Sequence, residues 1–353
     1  MSENFENSQI DHQNQPNNQR DTEETESEKK VIEKDFVPHF LPTYRISSKF
    51  YALPIIFVVI IAGILSYLTY IEAGVQFDGG YLSEEEFGAL GGILNGVIFT
   101  IMAAASAFLI IYLVKKRGID VLKYIFGLSF GFLSFFLSLF FSSIIVYLFF
   151  LQFPESPSLV YTYNAFINIL LPIYVGIFTL FLLYGYFTSK SIFTKNIIVL
   201  YMGLLVGASM GVLMPLWTTL AILIGISIWD IFAVLYKKGP IKEMIDIASQ
   251  GDTNNDMNKK DIQEKIESGE AVYDTSKLEI GIGDLAFYSM LTSSALIQAN
   301  SVIVMILTAI AIIIGTGITI MGLKRNKILP GLPISIFLGI GTMLISWYII
   351  SII

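Results

Sequence analysis

Residues 210–220, Met-Gly-Val-Leu-Met-Pro-Leu-Trp-Thr-Thr-Leu, decide the fold. They fall within an apolar stretch running from Ile197 to Tyr236. A helix needs about 20 apolar residues to cross about 30 Å of hydrocarbon, so the stretch is long enough for two crossings. The division between them rests on Met214-Pro215 alone. Two crossings here give nine from Tyr51 onward, at 51–71, 90–114, 124–151, 165–187, 197–214, 216–236, 280–298, 301–322 and 329–353. A single long helix would give eight and invert everything downstream.

Charge placement tests that division, because Lys and Arg concentrate on the cytoplasmic side of short loops. All 22 basic residues fall within residues 1–49, at 115–123, at Lys190 and Lys195, at 237–279, or at Lys324, Arg325 and Lys327. With nine crossings and a cytoplasmic N-terminus, every one of them is inside and no outer connection has any. The outer connections carry Glu72, Asp78, Glu84, Glu85, Glu86 and Glu155 instead. Merging the fifth and sixth runs would expel the basic residues of the last two inner connections. The reading is therefore an all-α membrane protein of nine helices, with its N-terminus cytoplasmic and its C-terminus outside.

Composition agrees: 54% of the 353 residues are hydrophobic and 14% charged. The net charge of −7 leaves no basic face for nucleic acid. With no cysteine, disulfides, thiolate metal sites and a cysteine nucleophile are excluded. Both histidines, His12 and His39, precede the first apolar run, which argues against histidine chemistry in the bilayer. Residues 1–49 are too polar to offset their ordering entropy and read as a disordered tail rather than a signal peptide. Residues 50–236 then hold the first six helices, 237–279 a polar, mobile cytoplasmic loop, and 280–353 the last three.

The same audit applied to the 29 acidic residues leaves two inside the apolar runs, Asp230 and Asp284. An intramembrane charge costs a few kcal/mol or more unless it is paired, neutralised or hydrated. Counting helical rise from Lys237 and from Glu279 places both roughly 7–11 Å inside the cytoplasmic boundary. Their helices are antiparallel neighbours, so the carboxyls can face one another. Two such groups a few Å apart share one proton, the arrangement with which aspartic proteases activate water and polarise a scissile carbonyl. A hydrogen-bonded helix clamp is the plainer account of a lone intramembrane Asp, and two at one depth weaken it.

The flanking residues weaken it further. Asp230 sits in Ser227-Ile-Trp-Asp230, which leads through Ile-Phe-Ala-Val-Leu-Tyr to Lys-Lys-Gly-Pro240; Asp284 sits in Gly281-Ile-Gly-Asp284 followed by Leu-Ala-Phe-Tyr-Ser. Both motifs resemble the presenilin family, and Pro330-Gly331-Leu332-Pro333 resembles that family's Pro-Ala-Leu-Pro element. The resemblance is dense from 227 to 336. It departs at Trp229, where the family usually has Tyr, and at Gly331, where it has Ala. What it implies is a presenilin-like fold, with Asp230 and Asp284 as the catalytic dyad. Trp229, Gly281, Ile282, Gly283, Pro330, Gly331, Leu332 and Pro333 would shape the substrate site. It implies no cofactor or metal, and the partners would be the lipid bilayer and substrates with a single transmembrane helix.

In such proteins the loop before the second motif is a site of self-cleavage, and the stretch here at 276–280 would pair with an extended substrate. Physical reasons stand beside the resemblance. Gly281 and Gly283 remove side chains next to Asp284 so that another backbone can approach, and Pro330 and Pro333 leave an irregular entry to the last helix.

Other strings are bland. Gly207-Ala-Ser-Met-Gly211 spells a nucleophile elbow, but it lies in an apolar run without a histidine and reads as helix packing. Asp252, Asn254 and Asp256 open like a calcium loop, which then lacks its Gly and Glu and reads as linker. The competing function from another class is a proton-coupled transporter or cation channel using the same acid pair, and a third is a non-catalytic scaffold. The expected location is a prokaryotic cell membrane.

Overall fold

The computed structural model describes residues 30–32, 43–75, 79–118, 121–189, 191–235, 271–273, 277–324 and 331–352. Pro330, most of the tail, Asp252 to Asp256 and most of the 237–279 connection lie outside the described residues. The described chain is mostly helical: α1 (Ala52–Tyr67), α2 (Glu84–Arg117), α3 (Val121–Phe150), α4 (Pro157–Ala165), α5 (Leu171–Thr188), α6 (Ile192–Leu213), α7 (Leu216–Leu235), α8 (Ile282–Ala299), α9 (Val302–Lys324) and α10 (Leu332–Ile352). A π-turn at Phe166–Leu170 joins α4 and α5 into one rod, so the described residues form nine rods. Pro172 lies just beyond that turn and cannot donate to the carbonyl four residues before it, which favours the wider turn.

The sequence boundaries hold within a few residues, and the departures have local causes. Met214 is extended (φ −99°, ψ 129°), so α6 stops at Leu213 and α7 starts after Pro215. The fourth rod starts at Pro157 rather than near 165, because Ser156 caps it by accepting a hydrogen bond from the Leu159 N–H at 3.1 Å. Gly88 breaks the first turn of α2 with φ 56°, which only glycine adopts freely, so the regular helix starts where the apolar run does.

Eight rods are long and apolar enough to cross a membrane, and α8 is the exception. It needs no apolar outer surface because it is the central element: from Leu285 to Ile297 only Phe287 escapes full burial. The helices that surround it meet lipid instead. α6 lies closest to α8, through a glycine row at Gly203, Gly207 and Gly211. A methyl on Gly207 would collide with Ser289 Cβ and stand 2.5 Å from the Ala286 carbonyl oxygen, and one on Gly211 would stand 2.5 Å from Ser293 Cβ. The elbow-like string is therefore a packing groove, as expected.

Two short ribbons complete the architecture. β1 (Lys30–Ile32) pairs in parallel with β3 (Ala271–Tyr273). β2 (Thr43–Ser47) pairs antiparallel with β4 (Lys277–Gly281), in a register from Thr43 opposite Gly281 to Ser47 opposite Lys277. Thus the polar composition before residue 49 does not keep 43–47 unstructured. Tyr44 packs against the helical core and β4 supplies the ladder.

At the opposite end of the bundle, the α1–α2 connection is fastened to the α6–α7 break. Gly79 N–H donates to the Leu213 carbonyl at 2.9 Å. The Glu84 carboxylate accepts from the Trp217 and Thr218 N–H groups at the start of α7. Asn95, fully buried, accepts from the N–H groups of Tyr81 (3.0 Å) and Leu82 (2.9 Å) and donates to the Leu82 carbonyl (2.8 Å) and Thr218 Oγ1 (3.0 Å). Both amide hydrogens and both oxygen lone pairs are used. Asn95→Ala removes the acceptor of two part-buried N–H groups and is expected to destabilise the protein by about 1–2 kcal/mol, measured as a lower thermal midpoint in detergent.

Candidate active site

The two acids come from adjoining helices. Asp230 lies five residues before the end of α7. Asp284 is the third residue of α8, in its first turn. The chain stays extended as β4 through Gly281, so α8 begins two residues later than the apolar run does. Gly281 is the helix N-cap, and the Asp284 carboxyl folds back over it, 3.8 Å from where a Gly281 Cβ would stand and within reach of its backbone N–H. An acidic side chain three residues after the cap commonly reaches back in this way.

The start of α10 joins the two acids. Leu332 N–H donates to Asp230 Oδ2 at 3.2 Å, and the Gly331 N–H also faces that carboxylate. On the other side, a Cβ on Gly331 would lie 3.8 Å from Asp284 Oδ2. Covalent geometry between these two points bounds the separation of the Asp230 and Asp284 oxygens at about 11 Å. Both acids are half-buried. Because 3.8 Å is ordinary van der Waals contact, Gly331→Ala is expected to leave the thermal midpoint in detergent within a few degrees of the parent, a volume change that the packing can absorb.

The structure thus brings Asp230, Asp284, Gly281, Gly331 and Leu332 together. Leu332 and Pro333 are buried and seat the start of α10. Gly283 faces open space apart from Phe287 of its own helix. Ile282 packs instead toward Gly203 of α6. Trp229 sits on the α2 side of α7, edge-on to Phe108 with ring centroids 5.8 Å apart.

One neighbouring group escaped sequence reasoning. Tyr288, one turn after Asp284 and on the same helix face, places its hydroxyl 3.3 Å from Ser335 Oγ and 3.4 Å from Thr316 Oγ1, and the latter two are 3.0 Å apart. All three residues are buried. The i, i+4 spacing could have pointed to Tyr288, but nothing local points to Thr316 or Ser335.

Comparisons with known proteins bear on the family and the fold. The Presenilin family model matches residues 55–256 and 248–353. Presenilin-B of Dictyostelium discoideum is 38% identical over 134 residues, covering 36% of this chain and a quarter (25%) of that protein. A presenilin-like protein of Arabidopsis thaliana is 24% identical over 321 residues, covering 71% of this chain and 76% of its own length. Among solved structures, a presenilin family intramembrane aspartate protease aligns with a TM-score of 0.52 at 13% identity, covering 84% of this chain and 99% of that one, a likeness of fold. The eight lipid-compatible rods make this an integral, multi-pass membrane protein. With the family model matched across nearly all of the helical region, the chain belongs to the presenilin family.

Proposed function

We propose that the protein is an intramembrane aspartyl endopeptidase with Asp230 and Asp284 as its catalytic dyad. The observation that supports the reading is that two half-buried carboxyls, one from α7 and one from α8, approach the same Gly331-Leu332 backbone inside a membrane-spanning bundle. One proton is shared between them. The ionised partner takes a proton from water as the water oxygen bonds to the scissile carbonyl carbon, while the protonated partner donates to the carbonyl oxygen. The resulting diol collapses as the amide nitrogen receives a proton and the C–N bond breaks. The backbone N–H of Leu332 fixes the orientation of Asp230 throughout.

Substrates are single transmembrane helices entering from the bilayer. A helix hides its carbonyls in its own hydrogen bonds, so the segment to be cut must become extended, and the far edge of β4 offers a strand partner beside Asp284. Gly281 and Gly283 leave room for that backbone. Leu332 and Pro333 seat the α10 side, and Pro330, outside the described residues, joins them on the sequence pattern alone, as do Trp229 and Ile282, whose contacts lie with α2 and α6. The placement of basic residues supports a cytoplasmic N-terminus, hence cleavage near the cytoplasmic face of substrates whose N-termini lie outside.

The test uses the purified protein in liposomes with a transmembrane peptide carrying a fluorogenic bond. Cleavage blocked by a hydroxyl-isostere inhibitor is the expected result. Proton or cation flux without proteolysis would replace this reading with an ion-transport one.

A further inference from the structure

β4 runs without interruption into Asp284, so whatever fixes β4 fixes the acid. β4 is held by β2, and β2 is gripped from its other side by Asn196 near the start of α6. The Asn196 side chain accepts from the Arg45 N–H at 2.9 Å and donates to the Arg45 carbonyl at 2.8 Å. In an antiparallel ladder each residue turns its N–H and C=O to the same side, and neighbours alternate. Arg45 gives both groups to Asn196 and therefore faces away from β4, so Tyr44 and Ile46 face it and meet Ile280 and Leu278. By the same alternation Lys277 and Glu279 turn their backbone groups to the far edge.

Side chains lock this register. Arg45 Nε lies 2.9 Å from Glu279 Oε1, directly across the ribbon, and Thr43 Oγ1 lies 3.5 Å from Glu279 Oε2. A two-stranded ribbon is marginal by itself in water, so its attachment to a packed helix decides whether it persists.

We propose that Asn196 is a positioning residue for the dyad: by holding Arg45 it anchors β2 to α6, β2 keeps β4 extended to Gly281, and this sets the residue at which α8 begins and hence where Asp284 stands. The clamp joins α6, whose glycine groove already seats the body of α8, to the strand that leads into the same helix. Position and entry of α8 are thereby referred to one element. The consequence for catalysis rests on the protease reading above, whereas the clamp itself does not.

The experiment compares the full-length wild type with Asn196→Ala in two readouts. Hydrogen exchange at the Leu278 and Ile280 amides, which face β2, is expected to accelerate by about tenfold or more, the size of one lost hydrogen-bond pair. Peptide cleavage is expected to show kcat lowered by at least about tenfold with KM within about twofold, because a misplaced acid impairs chemistry more than binding. Asn196→Asp, which keeps the acceptor for the Arg45 N–H and loses the donor, is expected to fall between the two. Arg45→Glu and Glu279→Arg each disturb exchange, and the double variant is expected to restore it, which checks the register without touching Asn196. Unchanged exchange in Asn196→Ala, faster exchange with unchanged kcat, or failure of the charge-swapped pair to regain protection overturns the proposal. If the wild type does not cleave, the protease reading fails and the exchange data alone decide the clamp.

Discussion

Asp230→Asn and Asp284→Asn are each expected to lower turnover of a transmembrane peptide by at least about a thousand-fold while leaving the protein folded. Residues that act as one catalytic unit lose nearly the whole effect when either is removed, so the double variant should be no worse than the singles. Asn keeps the size and the acceptor oxygen of Asp. The Leu332 N–H bond to position 230 can therefore persist, and a loss of turnover reports chemistry rather than collapse. Thermal midpoints within a few degrees of the parent, alongside lost cleavage, are the expected pattern. Retained cleavage in either variant would remove that acid from the dyad, and the carboxyl pair would then be a helix clamp.

The largest expected effect on stability is at Gly207. A methyl there meets Ser289 Cβ and the Ala286 carbonyl oxygen, and backbone cannot move aside as a side-chain tip can. Gly207→Ala is expected to cost about 1–3 kcal/mol, and Gly207→Leu to yield no folded protein by size-exclusion chromatography in detergent. Gly341 supplies the contrast. It lies in α10 with nothing within 4 Å of an added Cβ, so Gly341→Ala should be neutral or raise stability by up to about 1 kcal/mol through helix propensity. Equal behaviour of the two alanine variants would mean that α6 and α8 are not packed through the glycine row. Because Asp284 rides on α8, Gly207→Ala should also lose activity beyond its loss of folded protein.

Much of this architecture is legible in the chain because the bilayer imposes a simple rule on composition. Apolar runs give the rods, Pro215 gives the break that fixes their number, and an audit of charges leaves only two acids to explain. The acids stand out because a carboxyl inside the hydrocarbon has few uses. What is not legible depends on contacts distant in sequence. Thr43 and Glu279 are 236 residues apart, and nothing in the polar tail signals that 43–47 pairs with the strand before Asp284. Arg45 lies in the tail, Glu279 in the 237–279 loop and Asn196 just before the run at 197–214, with no motif to single them out. β4 is likewise illegible, since a helix-only count has no place for a strand leading into the helix that carries Asp284. Trp229 adjoins Asp230 in sequence. Successive helical residues point about 100° apart, and its ring contacts Phe108 of α2.

The interior helix α8 carries a burden in biogenesis. With Ser289, Thr292, Ser293 and Ser294 wholly enclosed, it lacks the greasy exterior that lets a nascent segment partition out of the translocon unaided. It emerges after α6 in synthesis, so the groove at Gly203, Gly207 and Gly211 already exists to receive it. Membrane integration of this segment and tertiary assembly are then one event rather than two, and a chain that reaches α8 without a correctly placed α6 has nowhere to put it.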